Sequence, residues 1–192
     1  LNIMKKNKLL QTSSQTVGPF FAYGLTSEQY DYDFPSLLTG NMRKEKINGT
    51  PISIKGKVFD GKGEAIHDAM IEIWHVDPNG KYKLSNQEDF LGFGRQGTGS
   101  SEDQSYNFET YKPGKISKYE SPHVNFIVFA RGMLNHLFTR MYFPDEDNSN
   151  DDILNQLSVS DQKKLISKKI EDFKYNFDIF LQGKNETVFL NL

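Results

Sequence analysis

Residues 121–133 read SPHVNFIVFARGM, and this stretch alternates in the way that an extended β-strand does. Apolar side chains occupy positions 124, 126 and 128, while His123 and Asn125 stand at the intervening positions. Because successive side chains of a strand point to opposite faces of a sheet, His123 and Asn125 should share one face. A histidine in such a pair raises the question of a metal site on this strand.

The same two-residue period extends outward from this strand over most of the chain. It is carried by apolar pairs at Ile52 and Ile54, Ile71 and Ile73, Tyr106 and Phe108, and Phe177 and Ile179. Such runs, separated by Gly, Asn and Asp, are typical of a two-sheet antiparallel β-sandwich, so the predicted fold class is mainly β. Asp60 and Gly61 favour a tight turn, which predicts antiparallel strands within residues 52–75.

One segment departs from this period. Residues 150–170 place leucines and isoleucines near helical spacing, with Asn150 and Ser160 as candidate N-caps, which predicts one or two short helices. Residues 23–50 are rich in Tyr, Asp and Asn and predict a long covering loop. We expect residues 1–15 to form an N-terminal arm and residues 16–192 to form a single domain.

Composition excludes several classes of function. The chain has 192 residues with 23 basic and 25 acidic side chains, so its charge gives no reason to expect a nucleic acid or an anionic membrane as partner. Cysteine is absent, which leaves only nitrogen and oxygen side chains as metal ligands. The sequence lacks an apolar run of membrane-spanning length or a signal-peptide core, so we expect a cytoplasmic protein.

Short motifs do not supply a catalytic centre. The four histidines, His67, His75, His123 and His136, form no pair at the spacing of a metal motif. The glycine-rich stretch GFGRQGTGS at residues 92–100 lacks the strand-to-helix context of a phosphate loop, so we interpret it as a flexible turn.

Longer segments carry a resemblance to a known family. They are SQTVGPFFAYGL, VFDGKGEAIHDAMIEIWHVDPNGKY, FGRQGTG, KPG, SPHVNFIVFARG, TRMYFPDE and LQGKNETVF, in this order along the chain. Together they resemble the intradiol ring-cleaving dioxygenases over nearly the whole chain. Within that family they are similar to the α subunits of the heteromeric members that cleave protocatechuate. The resemblance implies the β-sandwich that the apolar period predicts.

The resemblance implies which position His123 occupies in the family's metal site. Catalytic members of the family hold ferric iron with two tyrosines and two histidines, and the histidines lie two residues apart on one strand. Residue by residue, Tyr82 and His123 match one ligand of each kind, whereas Ile116 and Asn125 stand where the other two belong. An alkyl group donates nothing and a neutral amide is a weak ligand for Fe(III), so we expect these four positions to be vestigial and this chain to bind no metal. Tyr119 is the one alternative phenolate nearby.

The resemblance also implies a partner. In the heteromeric members a homologous β subunit carries the Fe(III), and protocatechuate and O2 react in a cleft that the α subunit helps to wall. The implied wall residues are Thr16, Gly18, Pro19, Phe20 and Arg131. An aromatic ring can cover the flat face of a substrate, and a guanidinium can hold its carboxylate.

Other interpretations stay open at this point. Residues 16–20 also fit an ordinary packed arm, and Arg131 fits an ion pair at a strand end. The chain as a whole also fits an assembly module without a part in catalysis, or an independent homomeric dioxygenase with an altered site.

Overall fold

The computed structural model describes residues 16–18, 20–44, 47–82 and 90–191. Residues 1–15, predicted as an N-terminal arm, lie outside the described residues.

The first sheet is built around one long strand. Its strands are β1 (Pro51–Phe59), β4 (Ser105–Tyr111), β7 (Lys168–Glu171), β8 (Lys174–Asn176) and β9 (Ile179–Phe180). They are ordered β4-β1-β8-β7, and β9 pairs with the other end of β1. The pairs β1–β4 and β7–β8 are antiparallel, whereas β8 and β9 run parallel to β1.

The second sheet is antiparallel throughout. Its strands are β2 (Met70–Trp74), β3 (Phe93–Gly97), β5 (His123–Phe129) and β6 (Leu137–Tyr142), in the order β3-β2-β5-β6. The opening stretch therefore forms a central strand, as its alternation predicts. The predicted sandwich of two sheets with few helices is confirmed.

The core lies between the two sheets and explains the two-residue period. Alternate side chains of β1, such as Ile52 and Ile54, are fully buried and pack in the same cluster as Ile71, Phe126 and Val128 of the second sheet. Burial of these apolar faces is the main stabilising contribution to such a sandwich. The other face of β5, which carries His123 and Asn125, points away from this core.

The turn after β1 forms, and an antiparallel bridge joins Phe59 to Ala65, but β1 and β2 do not form the predicted antiparallel pair within residues 52–75. The Asp60 carboxylate accepts hydrogen bonds from the backbone N–H groups of Lys62 and Glu64, and Gly63 adopts a φ of 82°. The returning chain then crosses to the second sheet, where β2 lies between β3 and β5. The hairpin prediction was wrong because β4 and β8 already occupy the two edges of β1.

Helices are few and short, as predicted. They are α1 (Phe20–Leu25) and α2 (Val159–Leu165), with 3₁₀ turns at Ser27–Tyr30, Thr98–Ser100 and Leu154–Gln156. The N-cap of α2 is Ser158 rather than Ser160, since the Ser158 hydroxyl accepts from the Asp161 backbone N–H at 3.2 Å. Among the described residues, no helix is long and apolar enough to span a bilayer.

Burial in the core predicts that alanine substitutions at two isoleucines have different effects on the free energy of unfolding. Ile54 is fully buried in β1, while Ile170 in β7 is 62% exposed. We expect Ile54→Ala to lower the free energy of unfolding by about 2–5 kcal/mol, because it removes buried methyl groups and leaves a cavity. Ile170→Ala should change it by less than about 0.5 kcal/mol. Urea unfolding of both variants measures the difference, and equal losses would contradict the burial assignment.

Candidate functional site

The four positions that the resemblance predicts to correspond to the family's iron ligands are called the relict site: Tyr82, Ile116, His123 and Asn125. Two of them lie on the outer face of the second sheet, where the strand register sets their neighbours. His123 stands opposite Tyr142 of β6, and Asn125 stands opposite Arg140. On the other side, Asn125 faces Trp74 of β2. The sheet therefore brings a guanidinium and an indole next to the position of the missing histidine.

His123 is held as a neutral imidazole. Its Nδ1 donates to the Ser121 carbonyl oxygen at 2.8 Å, which leaves Nε2 as an acceptor. The residue is 2% exposed, and its Nε2 is buried without a hydrogen-bond partner in the part of the chain that the structure describes. Burial, followed by the charge of Arg140, lowers the pKa of His123 to about 4.

Arg140 links the members of the site. Its Nε donates to the Asn125 side-chain oxygen at 2.9 Å, and its positive charge lies near the Tyr142 hydroxyl. The Tyr142 hydroxyl in turn donates to Asp151 at 2.8 Å. The Arg140 side chain is 9% exposed, and its NH1 lies 3.6 Å from the Glu120 carboxylate. A permanent positive charge therefore lies within the relict site.

Tyr82 lies at the exposed side of the same cluster. Its ring packs against Trp74 with 5.0 Å between centroids. Burial raises the pKa of Tyr82, and the nearby Glu120 charge adds to the rise, so the phenol stays protonated at neutral pH.

The fourth position lies in the loop that leads to β5. Gly80, with a φ of 76°, packs so closely on residues 115 and 116 that a Cβ there would lie 2.2 Å from the Lys115 carbonyl oxygen. The turn before Tyr82 and the loop that carries Ile116 are therefore in contact. Tyr119, the alternative phenolate, is 52% exposed on a turn, with the Lys118 ammonium over its ring.

These residues do not fit a ferric ion. The relict site offers one imidazole nitrogen and one protonated phenol, and its other two positions carry an amide and an alkyl group. The amide oxygen is already bonded to the Arg140 guanidinium, whose charge would repel Fe(III). Within the described part of the chain, no three His, Cys, Asp or Glu residues cluster as a metal site.

The predicted wall residues lie near the other end of β5. The Thr16 hydroxyl accepts from the Gly132 backbone N–H at 2.8 Å, so residue 16 lies against the turn that carries Arg131. The Arg131 side chain is 53% exposed, and its Nε donates to the Asp68 carboxylate. A Cβ on Gly18 would meet no described atom within 4 Å. Pro19 and the side chain of Phe20 lie outside the described residues.

The two groups of residues are separate. His123 begins β5 and Arg131 follows its end, so eight residues of extended chain, at about 3.3 Å each, place them roughly 26 Å apart. The structure brings Thr16 and Arg131 together, and it brings Tyr82, His123 and Asn125 together, but it does not join the two groups.

Sequence reasoning missed three residues of these sites. They are Arg140, Glu120 and Asp68, to which no motif in the sequence gives a role. Their signal lies in strand register and in contacts between distant segments, which residue spacing does not give. His75, which also had no assigned role, is satisfied within the core: its Nδ1 donates to the Val76 carbonyl oxygen and its Nε2 accepts from the Thr110 hydroxyl.

Comparison with known proteins gives the family. Residues 35–183 match the family model described as dioxygenase. The chain belongs to the dioxygenase family. It is 41% identical, over 96% of its length and 98% of the relative, to the protocatechuate 3,4-dioxygenase alpha chain of Burkholderia cepacia. The identity is 35% to the alpha chain of Pseudomonas putida, over 95% of this chain and 97% of that one.

A beta chain and a solved structure complete the comparison. The protocatechuate 3,4-dioxygenase beta chain of Burkholderia cepacia is 29% identical over 73% of this chain and 69% of its own length. The intradiol ring-cleavage dioxygenase of Tetranychus urticae superposes with a TM-score of 0.58 at 17% identity, covering 88% of this chain and 93% of that one. The predicted family and its β-sandwich fold are confirmed.

The buried imidazole predicts a pH dependence of stability. His123 is neutral in the folded chain down to a pH of about 4, whereas an unfolded histidine binds a proton below about 6.5. Its contribution to the unfolding free energy is therefore fully present above pH 6.5 and is lost as the pH falls towards 4, by about 1.4 kcal/mol per pH unit. Urea unfolding across this range should give a shallower slope for His123→Gln, and equal slopes would contradict the assigned burial.

Proposed function

We propose that this chain is the non-iron-binding α subunit of a heteromeric protocatechuate 3,4-dioxygenase. A homologous β subunit would hold the Fe(III) and carry out intradiol cleavage of protocatechuate with O2 to 3-carboxy-cis,cis-muconate. The α chain would wall that active site, in a cytoplasmic complex. The isolated chain would be inactive, since it supplies no metal centre.

The observation that carries this proposal is the Arg140 guanidinium in the relict site. It is bonded to Asn125 at the position of the missing histidine, so this chain needs a partner for metal chemistry. The likeness to alpha chains agrees with this. Identity to the Burkholderia alpha chain is 41% over nearly the full length of both chains, against 29% over a shorter stretch of the beta chain.

The contacts of Arg131 and Thr16 support the proposal that this chain forms part of a shared cleft. Arg131 uses Nε for Asp68, and its two terminal nitrogens bond no other described residue, so they can hold a carboxylate from outside the chain. Thr16 fixes the N-terminal segment against the same turn through Gly132. In the complex, these groups would act on protocatechuate by orientation and charge rather than by bond making.

A second candidate is an assembly module without a part in catalysis. The specific observation that favours it is the Arg131–Asp68 ion pair, because an arginine already paired within the chain has a structural role of its own. The third interpretation, an independent homomeric enzyme, is disfavoured by the cation at Arg140.

Substitution of Arg131 separates the two leading candidates. In a complex co-produced with the β subunit, Arg131→Ala should lower kcat/KM for protocatechuate roughly ten- to a hundredfold, because a charge-assisted hydrogen bond contributes about 1.5–3 kcal/mol. Iron content of the complex should stay the same. Arg43→Ala, which removes an arginine paired with Glu109 elsewhere on the sandwich, is the matched control and should leave kcat/KM unchanged. Full activity of Arg131→Ala would favour the assembly module.

Removal of residues 1–20 tests the arm. We expect the truncated chain to assemble with the β subunit and the complex to retain its iron and colour, while ring cleavage slows because one wall of the cleft is missing. Steady-state oxygen uptake measures the rate and elemental analysis measures the iron. Loss of iron on truncation would contradict the assignment of the metal to the partner.

A further inference from the structure

Arg140 lacks a close ionic partner among the described residues. The nearest carboxylate is that of Glu120, and the 3.6 Å between Glu120 Oε1 and Arg140 NH1 is too long for a hydrogen bond. A guanidinium that is nine-tenths buried is costly unless it is paired with an anion. The relict site therefore favours an additional anionic group.

His123 lacks a hydrogen-bond donor rather than an anion. Among the described residues, its Nε2 is a buried acceptor without a hydrogen bond, and an unmade bond of this kind costs about 1–3 kcal/mol. Because Nδ1 donates to Ser121, the missing partner of Nε2 is a donor such as a hydroxyl group. Two neighbouring groups of the site therefore favour different ligand groups. The Arg140 guanidinium favours an anion, and His123 Nε2 favours an O–H donor.

Glu120 shows where these partners would lie. Its Oε1 lies 3.7 Å from His123 Nε2 and 3.6 Å from Arg140 NH1, so one carboxylate oxygen already stands between the two groups. The Glu120 side chain is 35% exposed and bonds neither group closely. A carboxylate from outside the chain can take this position if Glu120 turns towards solvent.

Two aromatic rings border the same place. Trp74 is 40% exposed and Tyr82 is 41% exposed, and they contact each other beside Asn125. Partly exposed rings beside polar groups favour a flat, aromatic ligand.

We propose that the relict site, with Arg140, is a metal-free binding site for a small aromatic acid that carries a hydroxyl next to its carboxylate. The carboxylate pairs with Arg140, the hydroxyl donates to His123 Nε2, and the ring lies against Trp74 and Tyr82. The two polar groups must be neighbours on the ligand, because both protein groups lie within 4 Å of one Glu120 oxygen. This site is distinct from the proposed shared cleft at Arg131 and does not rest on the proposed function.

Binding is tested on the full chain without its partner, so that a site on a second subunit cannot contribute. The probe is 2-hydroxybenzoate, with 2-hydroxybenzamide as the uncharged comparison and benzoate as the comparison without a hydroxyl. Calorimetry measures affinity, and the indole N–H signal of Trp74, the single tryptophan, locates the ligand by NMR. We expect saturable binding of 2-hydroxybenzoate with a shift of that signal, weaker binding of benzoate, and no binding of the amide.

Two substitutions at the site should act in opposite directions. Arg140→Gln should weaken binding roughly ten- to a hundredfold, because it removes the charged partner of the carboxylate. Glu120→Gln should strengthen binding several-fold, because it removes the competing negative charge. Arg43→Gln, a remote arginine, is the matched control and should leave the affinity unchanged.

Thermal unfolding of each variant shows whether the variant is folded. Glu120 is partly exposed, so Glu120→Gln provides a test even if Arg140→Gln fails to fold. The proposal is overturned if 2-hydroxybenzoate does not bind, if the amide binds equally well, or if Glu120→Gln leaves the affinity unchanged or weakens it.

Discussion

The hydrogen bond from Arg140 Nε to the Asn125 side-chain oxygen is the interaction on which the function of this chain depends. It joins β5 to β6 across the outer face of the second sheet, at the position that the family resemblance matches to a histidine ligand. A neutral amide accepts a guanidinium well and a ferric ion poorly. This face of the sandwich therefore holds a fixed cation beside Asn125. The pKa shifts of the neighbouring His123 and Tyr82 keep the imidazole and the phenol uncharged at neutral pH.

The length of β5 separates the relict site from the predicted wall residues. The relict site lies at the beginning of this strand, and Arg131 with its Thr16 and Asp68 contacts lies beyond its end. The core face of β5 between them packs against β1 through fully buried side chains such as Phe126 and Val128. Substitutions on the outer face at one end need not disturb the packing of the other, because the two faces of a strand are independent.

Much of the fold could be predicted from the sequence, because a two-residue apolar period directly reports a strand with one buried face. The placing of His123 and Asn125 on one face follows from the same rule and is observed. The partner of β1 could not be predicted, since the Asp60–Gly61 turn indicates a reversal of the chain but not which sheet the returning strand joins. Likewise, the role of Arg140 needs the register between β5 and β6, which local spacing does not contain.

The most direct test is the iron content of the isolated chain after incubation with ferric iron. We expect the natural sequence to retain no stoichiometric iron and no visible absorption from a ferric phenolate. The triple variant Ile116→Tyr, Asn125→His, Arg140→Gln restores the donors and removes the cation, and it should bind iron measurably better. One ferric ion per chain, held by the natural side chains, would contradict the assignment of Arg140 as the cation of this site.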